Sequence, residues 1–321
     1  MRSNPLPRMV TICLIALAAG NVLLWLSGRG YYYLRDMEAI QRAQHPDVLF
    51  VGNSLLEGRL DSAALNQGAA SGGHSYTPLN TALSASAPHA QGLLAQYAIQ
   101  LHPQLHTIVI GFYDYQLTEK SDITPADLIG SNAVALDSRI PVHQVAIIDH
   151  FDTVQIGEVL LMRAFPMVIC RQYIWENAER VRRLMSKLGI PPWSIHLMGR
   201  PQSYYVTEPR RFQEDPSHFG SSYEYVFGKA ANARMHVVLV LMPMSPIHRK
   251  VYYTRQTWQD YMVKLQSLSQ QRGFTFVDAS AWMPDATQFQ DAIHMTPPAA
   301  TAFSFRLGGE LAAAEDAKPG N

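Results

Sequence analysis

Short apolar runs alternate with longer amphipathic stretches along much of the chain. Four runs that are rich in β-branched and aromatic residues are predicted to be buried strands: residues 48–51, 107–110, 236–242 and 274–277. Five stretches are predicted to be helical: residues 33–42, 55–65, 78–101 with an interruption near Pro88, 256–271 and 297–314. Strands that are separated by helices usually pair in parallel. The pattern therefore predicts an α/β fold with a parallel sheet flanked by helices.

Between residues 115 and 234 this alternation is lost. The sequence there predicts a helix over residues 147–169, a basic amphipathic helix over residues 172–188 and a polar loop over residues 201–220. We interpret residues 115–234 as a helical and loop insertion in an α/β domain that spans residues 31–321. A lid, a membrane-facing surface, a partner site and a solvated helix pair with its own small core are all compatible with this segment.

The first 30 residues have the character of a membrane anchor. Residues 9–26 form an uncharged, mostly apolar run that is long enough to span a bilayer, and Arg2 and Arg8 precede it. This positive flank predicts that the N-terminus lies in the cytoplasm and that the main domain lies outside it, in the periplasm. A cleaved signal peptide is the alternative. The run is long for such a peptide, however, and no A-x-A-like cleavage site follows it at the usual place.

Composition disfavours several classes of partner and cofactor. The chain of 321 residues has 26 Lys and Arg against 26 Asp and Glu, so no overall field favours nucleic acid. Cys13 lies in the apolar run and Cys170 is the other cysteine, so the sequence predicts neither a disulfide between them nor a cysteine metal site. The glycine-rich residues 66–73 lack both a P-loop lysine and the G-x-G-x-x-G spacing, which disfavours a nucleotide site. We expect no metal and no cofactor.

The end of the first predicted strand places a hydroxyl at a sharp strand-to-helix turn. Gly52 and Asn53 interrupt the apolar run, Ser54 follows, and an amphipathic pattern starts at Leu55. Free backbone N–H groups near a helix N-terminus stabilise negative charge, which is what a serine nucleophile needs beside it. A serine that only caps the helix has the same pattern. This stretch alone does not distinguish the two.

Two residues near the C-terminus favour the nucleophile. His294 can act as a general base towards Ser54, because an imidazole exchanges protons near neutral pH. Asp291, three residues earlier, can reach the same ring across a turn and fix its tautomer. A D-x-x-H string alone is common by chance, as a turn aspartate and a surface histidine.

Four segments in this order resemble the sequence blocks of the SGNH/GDSL hydrolase superfamily: residues 51–58 (VGNSLLEG), 66–73 (NQGAASGG), 111–114 (GFYD) and 291–294 (DAIH). The resemblance implies a flavodoxin-like α/β fold and a Ser-His-Asp triad. In this triad Ser54 is the nucleophile, His294 is the base and Asp291 orients the base. The backbone N–H of Ser54 is a further donor to the oxyanion.

The second and third blocks imply the remaining oxyanion and substrate contacts. In the second block a glycine N–H would bind the oxyanion; Gly72 is preferred, and Gly68 or Ser71 are alternatives. The third block has Tyr113, followed by Asp114, where the family usually has Asn and Asp. One oxyanion donor is then missing or becomes a phenol, and losing one such donor costs about a hundredfold or more in rate.

Four features narrow the resemblance: the N-terminal anchor, the GNS-type first block, the altered third block and the proline-rich residues 243–246. They look like those of membrane-tethered SGNH-like proteins of cell-envelope O-acylation, as in alginate and cellulose O-acetylation and teichoic-acid D-alanylation. Those proteins work beside a membrane-bound O-acyltransferase. The resemblance therefore implies such a partner, and an acylated saccharide or an acyl carrier as substrate.

We therefore expect a membrane-anchored, extracytoplasmic serine esterase or O-acyltransferase that acts on a cell-envelope saccharide or polymer. The alternative is a catalytically weak or inactive SGNH-fold module that binds an envelope polymer or scaffolds an acylation complex. The altered third block motivates this alternative. The position of His294 relative to Ser54 distinguishes the two.

Overall fold

The computed structural model describes residues 6–27, 32–118, 128, 134–164 and 216–317. Its strands are β1 (Val48–Val51), β2 (Pro78–Asn80), β3 (Thr107–Phe112), β4 (His236–Leu241) and β5 (Thr275–Asp278). They form one parallel sheet in the order β2-β1-β3-β4-β5. The predicted parallel α/β architecture is confirmed.

Helices lie on both faces of this sheet. Those of the described residues are α1 (Leu6–Ser27), α2 (Tyr32–Arg42), α3 (Ser62–Ala69), α4 (Pro88–Leu101), α5 (Val142–Asp149), α6 (Thr153–Ala164), α7 (Ser221–Asn232), α8 (Gln256–Gln271) and α9 (Pro297–Asp316). Shorter helical turns include a 3-10 turn at Ala70–Gly72 and a π-helical turn at Arg249–Tyr253.

Alternate strand residues face two hydrophobic cores, one on each side of the sheet. In β1, Leu49 and Val51 join the core formed with α2, α4, α5, α7 and α8, whereas Val48 and Phe50 join the core formed with α3 and α9. All four side chains are at most 1% exposed. Because both faces of the strand are buried, β1 is a continuous apolar run in the sequence rather than an alternating one.

Two predicted elements differ from the structure in the N-terminal half. Residues 78–101, predicted to be helical, contain the edge strand β2 before α4 begins. A three-residue strand that includes a proline is too short to show strand periodicity. Residues 55–65, predicted to be one helix, form turns as far as residue 59, and α3 begins at Ser62.

The region predicted to be an insertion contributes a helix to the main fold. α7 packs on α4 and leads directly into β4. Its residues Tyr223, Val226 and Phe227 are at most 2% exposed and belong to one of the two cores. α7 is therefore the crossover helix that precedes β4.

The rest of this region is described only in part. The helix predicted over residues 147–169 is divided between α5 and α6, and His150 ends α5 with a positive φ of 54°. The helix predicted over residues 172–188 and most of the loop predicted over residues 201–220 lie outside the described residues.

α1 coincides with the predicted membrane anchor. More than half of the surface is exposed on several of its apolar side chains: Met9, Ile12, Leu14, Ile15, Leu17 and Val22. Among the helices of the described residues, however, none combines the length and the apolar character that a membrane crossing requires. The membrane span predicted over residues 9–26 is therefore not supported.

α3 and α9 cross at very short range because each has a glycine at the contact. A Cβ at Gly68 would overlap the backbone C=O of Phe305, and a Cβ at Gly308 would overlap that of Leu65. The Thr301 hydroxyl also donates to the carboxylate of Asp61, which precedes α3, at 2.9 Å. This crossing fixes the segment that follows β1 against the helix that begins near residue 297.

Replacing Gly308 by Ala tests the crossing. The added methyl group must push the two helices apart, and overpacking of this kind costs about 1–3 kcal/mol of unfolding free energy. Gly309→Ala is the matched control, since its Cβ would lie at an ordinary 3.7 Å from Gly68 O. Alanine is favoured over glycine in a helix by about 1 kcal/mol, so the control should not lose stability. Urea unfolding of both variants gives the comparison, and equal stabilities would contradict the proposed contact.

Candidate active site

The structure brings the three residues of the predicted triad together. His294 Nε2 lies 2.9 Å from Ser54 Oγ, and His294 Nδ1 lies 2.7 Å from Asp291 Oδ2. With the imidazole proton on Nδ1, that N–H donates to the carboxylate, and Nε2 is left to accept the serine hydroxyl. A hydrogen-bonded chain therefore runs from Ser54 through His294 to Asp291, although 240 positions separate the serine from the histidine.

Asn53 rather than Ser54 caps the turn after β1. Asn53 Oδ1 accepts the backbone N–H of Leu55 at 3.0 Å, and its backbone C=O accepts those of the next two residues, also at 3.0 Å. The capping role that the sequence left open for Ser54 is thus filled by its neighbour. The Ser54 hydroxyl is directed instead to His294.

Two glycines let this turn lie close to the sheet. A Cβ at Gly52 would lie 2.9 Å from Leu56 Cδ1 and 3.1 Å from the C=O of Gly111, and a Cβ at Gly111 would overlap the Leu56 side chain. Leu56 is 1% exposed and fills the space above the ends of β1 and β3. The two glycines therefore allow the turn that contains Ser54, here called the serine turn, to pack closely on the ends of the strands.

The segment before α9 holds the histidine by its backbone. Phe289 and Met295 form an isolated antiparallel bridge, and the N–H of Gln290 donates to the C=O of His294 at 2.8 Å. The hairpin-like turn between them carries Asp291. Its geometry orients the imidazole before any substrate arrives.

The same turn keeps Asp291 ionised. Burial alone would raise the pKa of this carboxyl, but backbone N–H groups of Ile293 and His294 donate to Oδ1 at 2.9 and 2.8 Å. With the hydrogen bond from the His294 ring, they hold the pKa of Asp291 below its ordinary value of 3.8. Because the pKa is lowered on folding, the charge is present above pH 3.8 and is lost only as the pH falls through the lower folded-state value.

The loop after β2 lies against the serine turn. The N–H of Leu83 donates to the C=O of Gly52 at 3.2 Å, and Ser86 Oγ donates to the same oxygen at 3.3 Å. Ala85, between them, has a φ of 54°, which is rare for a residue with a side chain. In the described part of the chain, the backbone N–H groups of Ala85 and Ser54 have no acceptor. Both are available to a ligand.

Buried polar groups hold this loop in place. Gln91 Nε2 donates to both the C=O and the Oγ of Ser86, each at 3.2 Å, and the Tyr223 hydroxyl donates to Gln91 Oε1 at 2.9 Å. Gln91 and Tyr223 are at most 1% exposed. Buried hydrogen bonds with both partners satisfied restrict motion. The contacts of Gln91 and Tyr223 therefore hold the Ala85 backbone in its unusual conformation.

The predicted oxyanion glycine lies elsewhere. Gly72 belongs to the 3-10 turn that packs on α9, where its Cβ would meet that of Ala312 at 2.9 Å. This end of α9 also reaches the start of β3, where the Thr107 hydroxyl donates to Glu315 at 3.4 Å. Gly72 therefore lies at the amino edge of the sheet, whereas Ser54 lies at the carboxyl edge. The prediction of Gly72 as an oxyanion donor is wrong.

The two alternatives to Gly72 are excluded in the same way. Gly68 is in α3 at the crossing with α9, and Ser71 Oγ donates to the Gly68 C=O at 2.9 Å. Both residues serve the packing of helices. Small residues at a close helix contact cannot be told from a glycine-rich loop by composition alone.

The third block lies at the carboxyl end of β3, on the same edge of the sheet as Ser54. Tyr113 is half-buried and packs on the core that contains α3 and α9. Asp114 has a φ of 49°, and its Oδ1 accepts hydrogen bonds from His248 Nε2 at 2.9 Å and from the Tyr253 hydroxyl at 3.1 Å. Burial, followed by the nearby Asp114 charge, raises the pKa of Tyr253 well above 10. Asp114 therefore joins the third block to the segment after β4.

Sequence reasoning missed several residues that shape this site: Ala85, Ser86, Gln91, Gln116 and His248. Gln116, at 2% exposed, accepts a hydrogen bond from Asn53 Nδ2 at 3.3 Å and so ties the first block to the third. A run of small residues after Asn80 was the available signal for the Ala85 loop, but a positive φ at alanine has no sequence signature. In the part of the chain that the structure describes, no group of three or more His, Cys, Asp or Glu residues is arranged to hold a metal ion.

Comparisons with known proteins give distant similarities. One protein-family model matches residues 223–312, less than half of the chain. No curated protein matches the chain significantly in sequence. The fold is similar to that of a proposed acylhydrolase from Bacteroides fragilis, with 10% identity, a TM-score of 0.43 and coverage of 88% of this chain and 97% of the other. It is also similar to a GDSL-like lipase from Bacteroides thetaiotaomicron, with 11% identity, a TM-score of 0.39 and coverage of 89% and 98%. At this level, neither similarity carries an activity over to the chain.

Replacing Ala85 by Gly tests whether its backbone is strained. Glycine adopts a positive φ without the clash of a Cβ, so we expect the free energy of unfolding to rise by up to about 1 kcal/mol. Ala63→Gly, at an exposed position of α3, is the control and should lose about 1 kcal/mol. Urea unfolding measures both. A loss of stability in Ala85→Gly as large as in the control would rule out the strained backbone.

Proposed function

We propose that the protein is a serine esterase or O-acyltransferase of the SGNH/GDSL type. The observation that carries this proposal is the hydrogen-bonded chain from Ser54 through His294 to Asp291, together with the transfer of the capping role to Asn53. The Ser54 hydroxyl does not cap a turn and is directed at an imidazole that Asp291 orients. This arrangement is typical of an activated nucleophile.

In the first half of the reaction, Ser54 Oγ attacks the carbonyl carbon of an acyl ester. His294 Nε2 takes the hydroxyl proton, and Asp291 stabilises the imidazolium that forms. The tetrahedral intermediate then expels the alcohol, which takes the proton back from His294. An acyl group remains on Ser54. Water or a saccharide hydroxyl, deprotonated by His294, releases it in the second half.

Backbone groups serve as oxyanion donors in this proposal. The N–H groups of Ser54 and Ala85 flank the serine turn and have no acceptor among the described residues. They take the role first expected of Gly72. Backbone donors need no side chain and are positioned by the fold, so the absence of the usual asparagine at Tyr113 leaves a weaker but workable oxyanion site.

The substrate side of the proposal rests on the sequence resemblance. It favours an acylated saccharide or an acyl carrier as donor, a cell-envelope saccharide or polymer as acceptor, and a membrane-bound O-acyltransferase as partner. The binding-module alternative is motivated by Tyr113, which replaces a donor that most members use. In that alternative the serine turn holds a ligand without turnover.

Replacing Ser54 by Ala separates these two functions. We expect this variant to lose hydrolysis of p-nitrophenyl acetate and covalent labelling by a fluorophosphonate probe, because both require the Ser54 oxygen. Ser62→Ala, at an exposed position of α3, is the control and should keep both. Mass spectrometry of the labelled protein locates the adduct. If the wild-type protein is neither labelled nor active, the binding-module alternative is favoured. Labelling that persists in Ser54→Ala would refute Ser54 as the nucleophile.

The location of the protein is a separate proposal. The uncharged run 9–26 behind Arg2 and Arg8 supports membrane attachment with the α/β domain in the periplasm. A fusion of alkaline phosphatase to the C-terminus should be active in intact bacteria and should sediment with membranes. An inactive fusion would place the domain in the cytoplasm, and a fully soluble active fusion would indicate a cleaved signal peptide.

A further inference from the structure

An open cleft of about 460 Å³ lies at the carboxyl ends of β4 and β5. Its lining comes from three segments: the π-helical turn Arg249–Tyr253, the start of α8 and the loop that follows β5. The triad does not use these residues. Open parallel sheets bind ligands at the carboxyl ends of their strands, so the cleft is on the functional edge of the fold.

The cleft is joined directly to the proposed active site. The N–H of Ser245, next to the cleft, donates to the C=O of Ala292 in the turn that carries Asp291 and His294, at 3.4 Å. The N–H of Met244 donates to the C=O of Ser280, a lining residue, at 3.1 Å. β3 separates β1 from β4 in the sheet, so the ends of β1 and β4 lie about 10 Å apart. One extended substrate can therefore reach both places.

Two adjacent cations line this cleft without a carboxylate partner. Among the described residues, neither Arg249 nor Lys250 forms an ion pair, and Arg249 Nε is closed off from solvent with no hydrogen-bond acceptor. Arg249 is partly exposed and Lys250 is exposed, so both can receive an anionic group from the cleft.

The cleft also contains one carboxylate, and one of its oxygens accepts a backbone hydrogen bond. Asp278, at the end of β5, is exposed, and its Oδ1 accepts the backbone N–H of Ser280 at 2.9 Å. It makes no ion pair with Arg249 or Lys250. The cleft therefore combines two free cations with one anion and hydroxyl groups of Thr254 and Ser280.

Two of the aromatic side chains that line the cleft, Tyr253 and Trp258, stack on each other, and Trp258 is only 5% exposed. The Tyr253 and Trp258 rings stack with their centroids 4.1 Å apart and their planes at 8°. The hydrogen bond from the Tyr253 hydroxyl to Asp114 fixes this pair to the third block. The π-helical turn that carries both cations is a rare conformation that occurs often at functional sites.

We propose that this cleft is a substrate subsite for an anionic saccharide, whose carboxylate or phosphate group binds Arg249 and Lys250. The hydroxyl groups of the sugar bind Thr254 and Ser280. This inference rests on the proposed function, because it places the anionic unit two to three strand-to-strand steps from the ester carbonyl at Ser54. It assigns charge selectivity to the chain's own residues.

Binding measured without turnover tests the subsite. Ser54→Ala protein is titrated by calorimetry with glucuronic acid, glucose 1-phosphate and glucose, so that the carboxylate and the phosphate are separate arms. We expect saturable binding of at least one anionic sugar, and we expect added salt to weaken it. Glucose should bind with an affinity lower by about tenfold or more. Adding Arg249→Gln and Lys250→Gln should weaken the anionic arm about tenfold or more. Lys264→Gln, at an exposed position of α8 outside the cleft, should not change it.

Equal binding of glucose and the anionic sugars would overturn the proposal, and so would no binding at all or an equal loss in the Lys264→Gln control. Circular dichroism establishes that each variant is folded. A second experiment uses protein that retains Ser54. It compares kcat/KM for acetylated glucuronate with kcat/KM for acetylated methyl glucoside. The double variant should lower this ratio about tenfold. If the protein binds anionic sugars selectively but cleaves neither ester, the result would support the subsite and contradict the proposed acyl transfer.

Discussion

The glycine-mediated crossing of α3 and α9 is the contact on which the candidate site depends. Ser54 lies eight residues before the start of α3 and His294 three residues before that of α9, so the position of one helix on the other affects the distance between hydroxyl and imidazole. Bringing such distant positions together requires closure of a long loop, which is opposed by chain entropy. The buried core between the two helices offsets this entropy cost. The Arg59 side chain also donates a hydrogen bond to Gln290 at 3.1 Å, one residue before Asp291.

The residues around Ser54, rather than Ser54 itself, make the hydrogen bonds and contacts that hold this part of the fold. Asn53 caps the turn, Gly52 makes room for it, and Ser86 secures the loop above it. The Ser54 hydroxyl is left to bond only with the imidazole of His294, and among the described residues the backbone N–H groups of Ser54 and Ala85 have no acceptor.

The sequence predicted the parts of this molecule that depend on local pattern. β1 and β4 were located closely because strands buried on both faces are continuous apolar runs. The triad was found because the D-x-x-H turn is local and its acid lies three residues from its base. Gly72 was misplaced because a glycine at a close helix crossing looks like one in a loop. The positive φ of Ala85 and the short strand β2 depend on long-range packing and have no local signature.

The third block shows how recognition and catalysis can be linked in this fold. Tyr113 brings no amide to an oxyanion, so the acyl transfer that we propose depends on backbone donors. The next residue, Asp114, instead accepts hydrogen bonds from His248 and Tyr253, and Tyr253 belongs to the lining of the cationic cleft. A substrate anchored in that cleft is held near the serine by binding energy from a remote group. Such energy can offset a modest oxyanion site, since positioning alone lowers a barrier by several kcal/mol. On this argument the altered third block exchanges direct stabilisation of the oxyanion for substrate orientation.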